Sequence, residues 1–156
     1  MHSLTIRSAL ATDVDRLFAI ERSAPSAAHW PQSDYESAVA GSGPRRIVLV
    51  AEIEGQAHGF LVARSSVPAE WEIENVVVGE AARRQGLGRS LVSVFLEQIR
   101  LCEPMNEDLA VYLEVRESNV AARQLYEKSG FHLDNRRRAY YRLPEEDALV
   151  YRYIFQ

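Results

Sequence analysis

The sequence has a single cysteine and no long apolar run. Because Cys102 stands alone among the 156 residues, no intrachain disulfide can form. No uninterrupted apolar stretch approaches the ~20 residues that cross a membrane. The first residues also lack the apolar segment of a secretory signal. These absences predict a cytoplasmic protein that does not associate with membranes.

An excess of positive charge is also lacking. The chain has 18 Lys and Arg residues against 22 Asp and Glu residues, a formal net charge of −4. Because phosphate contacts drive nucleic-acid binding, this balance argues against direct binding of nucleic acid. The histidines are too scattered to pair with one another or with cysteine, so no metal site is predicted; they are His2, His29, His58 and His132.

The length and the element pattern favour one mixed α/β domain over residues 1–156. Hydrophobic periodicity predicts a strand, two helices, three strands, a helix, a strand, a helix and two further strands. Strands that first follow one another and later alternate with helices indicate a central mixed sheet with helices on both faces. Ser118 or Asn119 is expected to cap the last helix.

The chain is organised around a strand and the helix that follows it. The strand is predicted over 73–78, and the helix from about Gly86 to Cys102. The first amides of a helix lack intrahelical partners, and the helix dipole adds positive charge there. Between the two elements lie two glycines and three arginines, Arg83, Arg84, Gly86, Gly88 and Arg89. A pyrophosphate fits such a junction, although a tight strand-to-helix turn gives the same pattern.

Two other phosphate-binding loops are excluded by the spacing. No Gly-x-x-x-x-Gly-Lys-Ser/Thr run occurs, and Leu91 stands where a dinucleotide-binding loop needs its third glycine. The remaining pattern is Arg-x-x-Gly-x-Gly after a strand. This pattern resembles the coenzyme A pyrophosphate loop of the GNAT acetyltransferase superfamily.

The second half of the chain resembles the same superfamily more specifically. Residues 113–131 read Leu-Glu-Val-Arg-x-Ser-Asn-x-x-Ala-x-x-Leu-Tyr-Glu-x-x-Gly-Phe, as in the ribosomal-protein-alanine N-acetyltransferases of the RimI type. Asn75-Val-x-Val and the Arg136-Arg137-x-x-Tyr140-Tyr141 run match as well. The resemblance implies the GNAT fold, with a mostly antiparallel sheet. Two departures are the Trp30-Pro31 order, which is reversed, and Glu74, where the family is apolar.

The resemblance implies that acetyl-CoA is the co-substrate and indicates which residues bind it. Strand residues would offer backbone groups to the pantetheine arm, the loop would hold the pyrophosphate, and Asn119 would contact the coenzyme further along. The predicted set is Val76, Val77, Val78, Arg83, Arg84, Gln85, Gly86, Leu87, Gly88, Arg89 and Asn119. The valines also suit core packing, which is compatible with backbone binding.

Two residues are implied to be catalytic. Glu114 lies near the end of an alternating strand, and the resemblance makes it the proton acceptor; the alternative is a solvated carboxylate or one paired with an arginine such as Arg116. Tyr126 is implied to be the acid that protonates the coenzyme thiolate. A tyrosine on an apolar helix face is otherwise a core residue.

The acceptor implied by the resemblance is the N-terminal amine of a protein or peptide, with a ribosomal protein among the candidates. Trp30, Glu74 and Tyr140 are predicted to contact it, together with Tyr141. These aromatic residues could equally pack beneath loops, and Glu74 could belong to a polar strand face shared with Glu72. A small amine or a lysine as acceptor, and a non-catalytic coenzyme A-binding domain, are the alternatives.

Overall fold

The computed structural model describes residues 3–24 and 27–155, which form the seven strands and four helices expected. Short 3-10 turns precede the first and third helices. The elements are β1 (Leu4–Ser8), α1 (Val14–Ser23), α2 (Gln32–Ala40), β2 (Arg45–Ile53), β3 (Gln56–Val67), β4 (Glu70–Val78), α3 (Leu87–Cys102), β5 (Ala110–Arg116), α4 (Val120–Lys128), β6 (His132–Tyr141) and β7 (Glu146–Ile154).

All seven strands form one sheet in the order β1-β2-β3-β4-β5-β7-β6. Neighbouring strands are antiparallel, except that β4 and β5 run parallel. The parallel pair follows from the chain path, because α3 carries the backbone from the end of β4 back to the start of β5. The mixed, mostly antiparallel sheet that the sequence predicts is confirmed.

The helices cover both faces of the sheet, as expected. On one face, α3 and α4 pack on a core that includes Leu91, Phe95, Ile99, Leu113 and Tyr126. On the other, α1 and α2 pack on Leu17, Ile20, Tyr35, Phe60 and Val62. Among the residues described, no helix is both long and apolar enough to cross a membrane.

A β-bulge in β4 interrupts the regular sheet beside its parallel partner. Asn75 pairs with Val62 and Ile73 pairs with Ala63, so Glu74 is an extra residue on β4. The parallel pairing with β5 also ends at Ile73, opposite Leu113. A bulge bends its strand and increases the local twist. Beyond this point β4 and β5 separate, and a cleft lies between them.

Candidate active site

The cleft between β4 and β5 has a volume of about 760 Å³. Its walls come from both strands, from α4 and from the last residue of β6. Residues that line it include Ile73, Glu74, Asn75, Val76, Glu114, Asn119, Tyr126 and Tyr141. The structure therefore brings the predicted base, the predicted acid and two predicted coenzyme contacts, Val76 and Asn119, into a single cleft.

A second cavity, of about 700 Å³, continues from the cleft toward the start of α3. The two cavities share Ala27, Asn119 and Ala122. Most of the predicted coenzyme-binding residues line the second cavity: Val77, Val78, Arg83, Arg84, Gly86, Leu87, Gly88, Arg89 and Asn119. Val76 lines the cleft instead, and Gln85 is exposed without lining either cavity. Because they share lining residues, the two cavities are adjacent, and we refer to them together as the groove.

The loop before α3 exposes backbone amides to this groove. Arg84 and Gly86 both have positive φ angles, 65° and 77°. The first α-helical bond runs from the Ser90 N–H to the Gly86 carbonyl, at 3.0 Å. The amides of the first three helical residues consequently have no acceptor within the helix. With Arg84, Arg89 and Lys128 also on the walls, the groove suits a pyrophosphate.

Gly88 lets α4 approach the start of α3 closely. A Cβ atom placed there would lie 3.2 Å from Leu125 Cδ2 and 3.8 Å from Val78 Cγ2. This glycine therefore keeps the groove open between two packed side chains. The same space is where a coenzyme phosphate would approach the helix amides.

We expect Gly88→Val to weaken coenzyme A binding by about tenfold or more, because the new side chain both crowds Leu125 and narrows the groove. Isothermal titration calorimetry with coenzyme A measures the change. Ser90→Val is the matched control, since Ser90 lies in the same helical turn but does not line the groove. Equal binding by the two variants would contradict the assigned role of Gly88.

Glu114 is held by an arginine that the sequence did not single out. Its side chain is 23% exposed, and its Oε1 lies 3.1 Å from Arg137 Nε of β6. Arg116 instead pairs with Glu146 at 3.5 Å and stacks on Tyr141, 4.1 Å from the ring centroid. The arginine pairing considered for Glu114 therefore exists, but with Arg137 as its partner.

Tyr126 is buried in α4 at the edge of the cleft. Only 8% of it is exposed, and its ring lies edge-on to Phe131, with 5.8 Å between centroids. Burial raises the pKa of Tyr126 above its usual value of 10. The phenol is thus protonated at neutral pH, as a proton donor must be.

Glu114 and Tyr126 approach the cleft from opposite faces of the sheet. Val111, Leu113 and Val115 belong to the core beneath α3 and α4, so the alternation of β5 directs Glu114 to the other face. Tyr126 belongs to that α3–α4 core. A reacting carbonyl between the strands would meet a carboxylate on one side and a phenol on the other.

The predicted acceptor contacts are only partly assembled. Glu74 lines the cleft, and its carboxylate binds Arg46, with 2.9 Å from Oε1 to Nε. The Arg46 guanidinium lies 5.5 Å from the centroid of Trp30, which packs on Tyr35 rather than lining the cleft. Tyr140 is 48% exposed and lies outside the cleft, 5.3 Å from the Arg137 guanidinium.

Sequence reasoning missed the residues that face the acidic side chains across the sheet. Arg46 comes from β2 and Arg137 from β6, whereas their partners Glu74 and Glu114 lie on the central strands. Only the register of strands distant in sequence brings these charges together. The local sequence carries no signal for such pairs, although Arg137 did fall within a family motif.

Comparison with known protein families identifies the class of protein to which this cleft and loop belong. The model of the acetyltransferase (GNAT) family matches residues 12–131. The chain belongs to this family and is an N-acetyltransferase. The family uses acetyl-CoA as its co-substrate.

Its relatives include enzymes that modify N-terminal amines. The [ribosomal protein bS18]-alanine N-acetyltransferase of Escherichia coli K12 is 31% identical over 94% of each chain. The N-alpha-acetyltransferase RimI of Mycobacterium tuberculosis is 32% identical over 79% of this chain and 74% of its own. The crystal structure of the Escherichia coli ribosomal-protein-S18-alanine N-acetyltransferase superposes with a TM-score of 0.81, at 28% identity, over 97% of this chain and 94% of its own.

Proposed function

We propose that this protein transfers the acetyl group of acetyl-CoA directly to the α-amine of a protein or peptide N-terminus. An N-terminal alanine, as in a ribosomal protein, is the first acceptor to test. The observation that carries the proposal is that Glu114 and Tyr126 line the same open cleft from opposite faces of the sheet. The relatives that act on N-terminal alanine support the choice of acceptor.

Each residue then has one task in the transfer. The thioester of acetyl-CoA supplies the activated acetyl group. Glu114 accepts the proton that the attacking amine loses as its N–C bond forms. Tyr126 donates its proton to the coenzyme sulfur as the C–S bond breaks, and the unpaired edge of β4 beyond Ile73 offers amides to the thioester carbonyl.

The acidity of the acceptor favours an α-amine over a lysine. An α-amine has a pKa of ~7.8, and a lysine amine has a pKa of ~10.4. At pH 7.5 about a third of the α-amine is neutral, against about 0.1% of the lysine amine. The single carboxylate of Glu114, which is paired with Arg137, therefore has to remove a proton from a smaller fraction of an α-amine than of a lysine amine. This chemistry supports the N-terminal acceptor.

The proposal is tested by coenzyme A release with three acceptors. The first is a short peptide with a free N-terminal alanine. The second is the same peptide with that amine blocked and a free lysine added. The third is a polyamine. We expect turnover with the first peptide at a kcat/KM at least tenfold above the other two.

Preferred turnover of the lysine peptide or the polyamine would overturn the proposed acceptor, while the acetyltransferase class would stand. Mass spectrometry of the product locates the acetyl group. Substituting the N-terminal alanine by other residues in the first peptide then measures how strongly the first residue is selected.

A further inference from the structure

A buried polar cluster lies beneath the bulge of β4. It consists of Glu21 from α1, Tyr35 from α2 and Asn75 from β4, which are 0%, 0% and 7% exposed. The surrounding side chains of this second core are otherwise apolar. None of the steps assigned above uses Glu21 or Tyr35.

The three side chains form a chain of polar contacts. Asn75 Nδ2 donates a hydrogen bond to the Tyr35 hydroxyl oxygen, at 3.0 Å. Since that oxygen is the acceptor, the proton of Tyr35 remains available for another group. Burial and the negative charge of Glu21 both raise the pKa of Tyr35. Glu21 therefore lies near the Tyr35 hydroxyl, and its buried carboxylate is a group that can accept this proton.

Stability alone does not account for this cluster. Among the described residues, neither carboxylate oxygen of Glu21 has a hydrogen bond of normal geometry. Burying a carboxylate with so little compensation is unfavourable, and apolar residues of similar volume usually give a more stable core. Buried polar groups at such a position indicate a functional role rather than a contribution to stability.

The position of Asn75 indicates what the functional role of the cluster is. Asn75 is where β4 resumes its pairing with β3 after Glu74, opposite Val62. The next residue, Val76, lines the cleft. Asn75 therefore stands where the bulge ends, and a hydrogen bond to its side chain can influence the course of the backbone there.

We propose that Glu21 and Tyr35 are positioning residues for acetyl transfer. Glu21 orients the Tyr35 hydroxyl, Tyr35 holds Asn75, and Asn75 fixes the end of the bulge so that the backbone at Val76 faces the reacting carbonyl. The inference deepens the proposed transfer in this cleft and adds two residues from the opposite core. It does not depend on which amine is the acceptor.

Three variants test the chain of contacts. Tyr35→Phe removes the hydroxyl, Glu21→Leu removes the proton acceptor, and Glu21→Gln keeps an amide oxygen that can accept the Tyr35 proton. We expect Tyr35→Phe and Glu21→Leu to lower kcat by about tenfold or more. We expect Glu21→Gln to retain kcat within about twofold, and all three to bind coenzyme A within about threefold of the wild type.

A matched control separates positioning from loss of stability. Val50→Ala opens a cavity in the same core, at a fully buried residue outside the polar cluster. Melting temperature, coenzyme A affinity by calorimetry, and kcat and KM are measured for every variant. We expect Val50→Ala to lower the melting temperature at least as much as Tyr35→Phe while retaining kcat.

Three results would overturn the inference. These are an unchanged kcat in Tyr35→Phe, an equal loss of kcat in Val50→Ala, or an equal loss in Glu21→Gln and Glu21→Leu. Rates are compared with whichever amine the wild type acetylates fastest. A preference for lysine would thus count against the proposed acceptor alone and leave the comparison among variants intact.

Discussion

Glu114→Gln is expected to lower kcat by about 10²- to 10⁴-fold, the contribution typical of a general base. Glutamine has nearly the same shape but cannot accept a proton from the attacking amine. It can still accept a hydrogen bond from Arg137, which lies 3.1 Å from the carboxylate in the wild type. Glu114 does not line the second cavity, where most of the predicted coenzyme-binding residues lie. Coenzyme A affinity should therefore be retained.

The measurement is the initial rate of acetylated product, read by liquid chromatography. A thiol reagent is less suitable, because Cys102 is exposed and adds a background signal. Glu72→Gln is the matched control. Glu72 lies on β4, next to the strand of Glu114, and it is likewise paired with an arginine, Arg64, at 3.2 Å, but it lies outside the cleft. Full activity in Glu114→Gln would exclude Glu114 as the base.

Tyr126→Phe is expected to lower kcat by about 10²-fold or more, because the departing thiolate loses its proton donor. The phenylalanine ring should keep the edge-on contact with Phe131, which has its centroid 5.8 Å away in the wild type. The melting temperature should therefore change little. Coenzyme A affinity and the KM of the acceptor should also remain close to the wild-type values.

The pH dependence gives an independent test of Tyr126. Burial raises its pKa above 10, so the phenol stays protonated, and competent as an acid, throughout the neutral and mildly alkaline range. The wild-type kcat should show no loss from tyrosine ionisation below about pH 10. A decline near pH 8 that disappears in Tyr126→Phe would show that the phenol ionises early and would contradict this environment.

Tyr153→Phe serves as the control for tyrosine replacement. Tyr153 stacks on Phe131, with 5.4 Å between centroids, but it does not line the cleft. Its hydroxyl has no assigned part in the transfer. A similar loss of kcat in both variants would attribute the effect of Tyr126→Phe to packing around Phe131.

Local patterns were enough to predict the elements of the fold. The alternation of β5 correctly placed Glu114 opposite Val111, Leu113 and Val115, because side chains alternate strictly along a strand. The helix over Leu87–Cys102 follows from its apolar spacing. Asn119 caps α4 by accepting a hydrogen bond from the Ala122 N–H, as one of the two predicted caps.

The details of the site depend on contacts that local patterns do not encode. The bulge at Glu74 arises from the register between β3 and β4, and it decides where β4 leaves β5. Arg46 and Arg137 reach their carboxylate partners from strands far away in sequence. Tyr140 is exposed next to the turn that joins β6 to β7, and the conformation of that turn is likewise not encoded in a local pattern. The roles of Glu114, Tyr126 and the coenzyme-binding residues stay predictions until they are tested.

The sheet consists of two antiparallel halves, which meet at the short parallel pairing of β4 with β5. One half is the meander of β1 to β4, and the other is β5 with β7 and β6. Among the described residues, four paired positions, from Glu70–Ala110 to Ile73–Leu113, join the two halves within the sheet. Beyond Ile73 a bound coenzyme would take the place of the missing strand contacts and fasten the halves together. We therefore expect coenzyme A binding to stabilise the contact between the two halves of the sheet and to slow amide hydrogen exchange in β4 and β5.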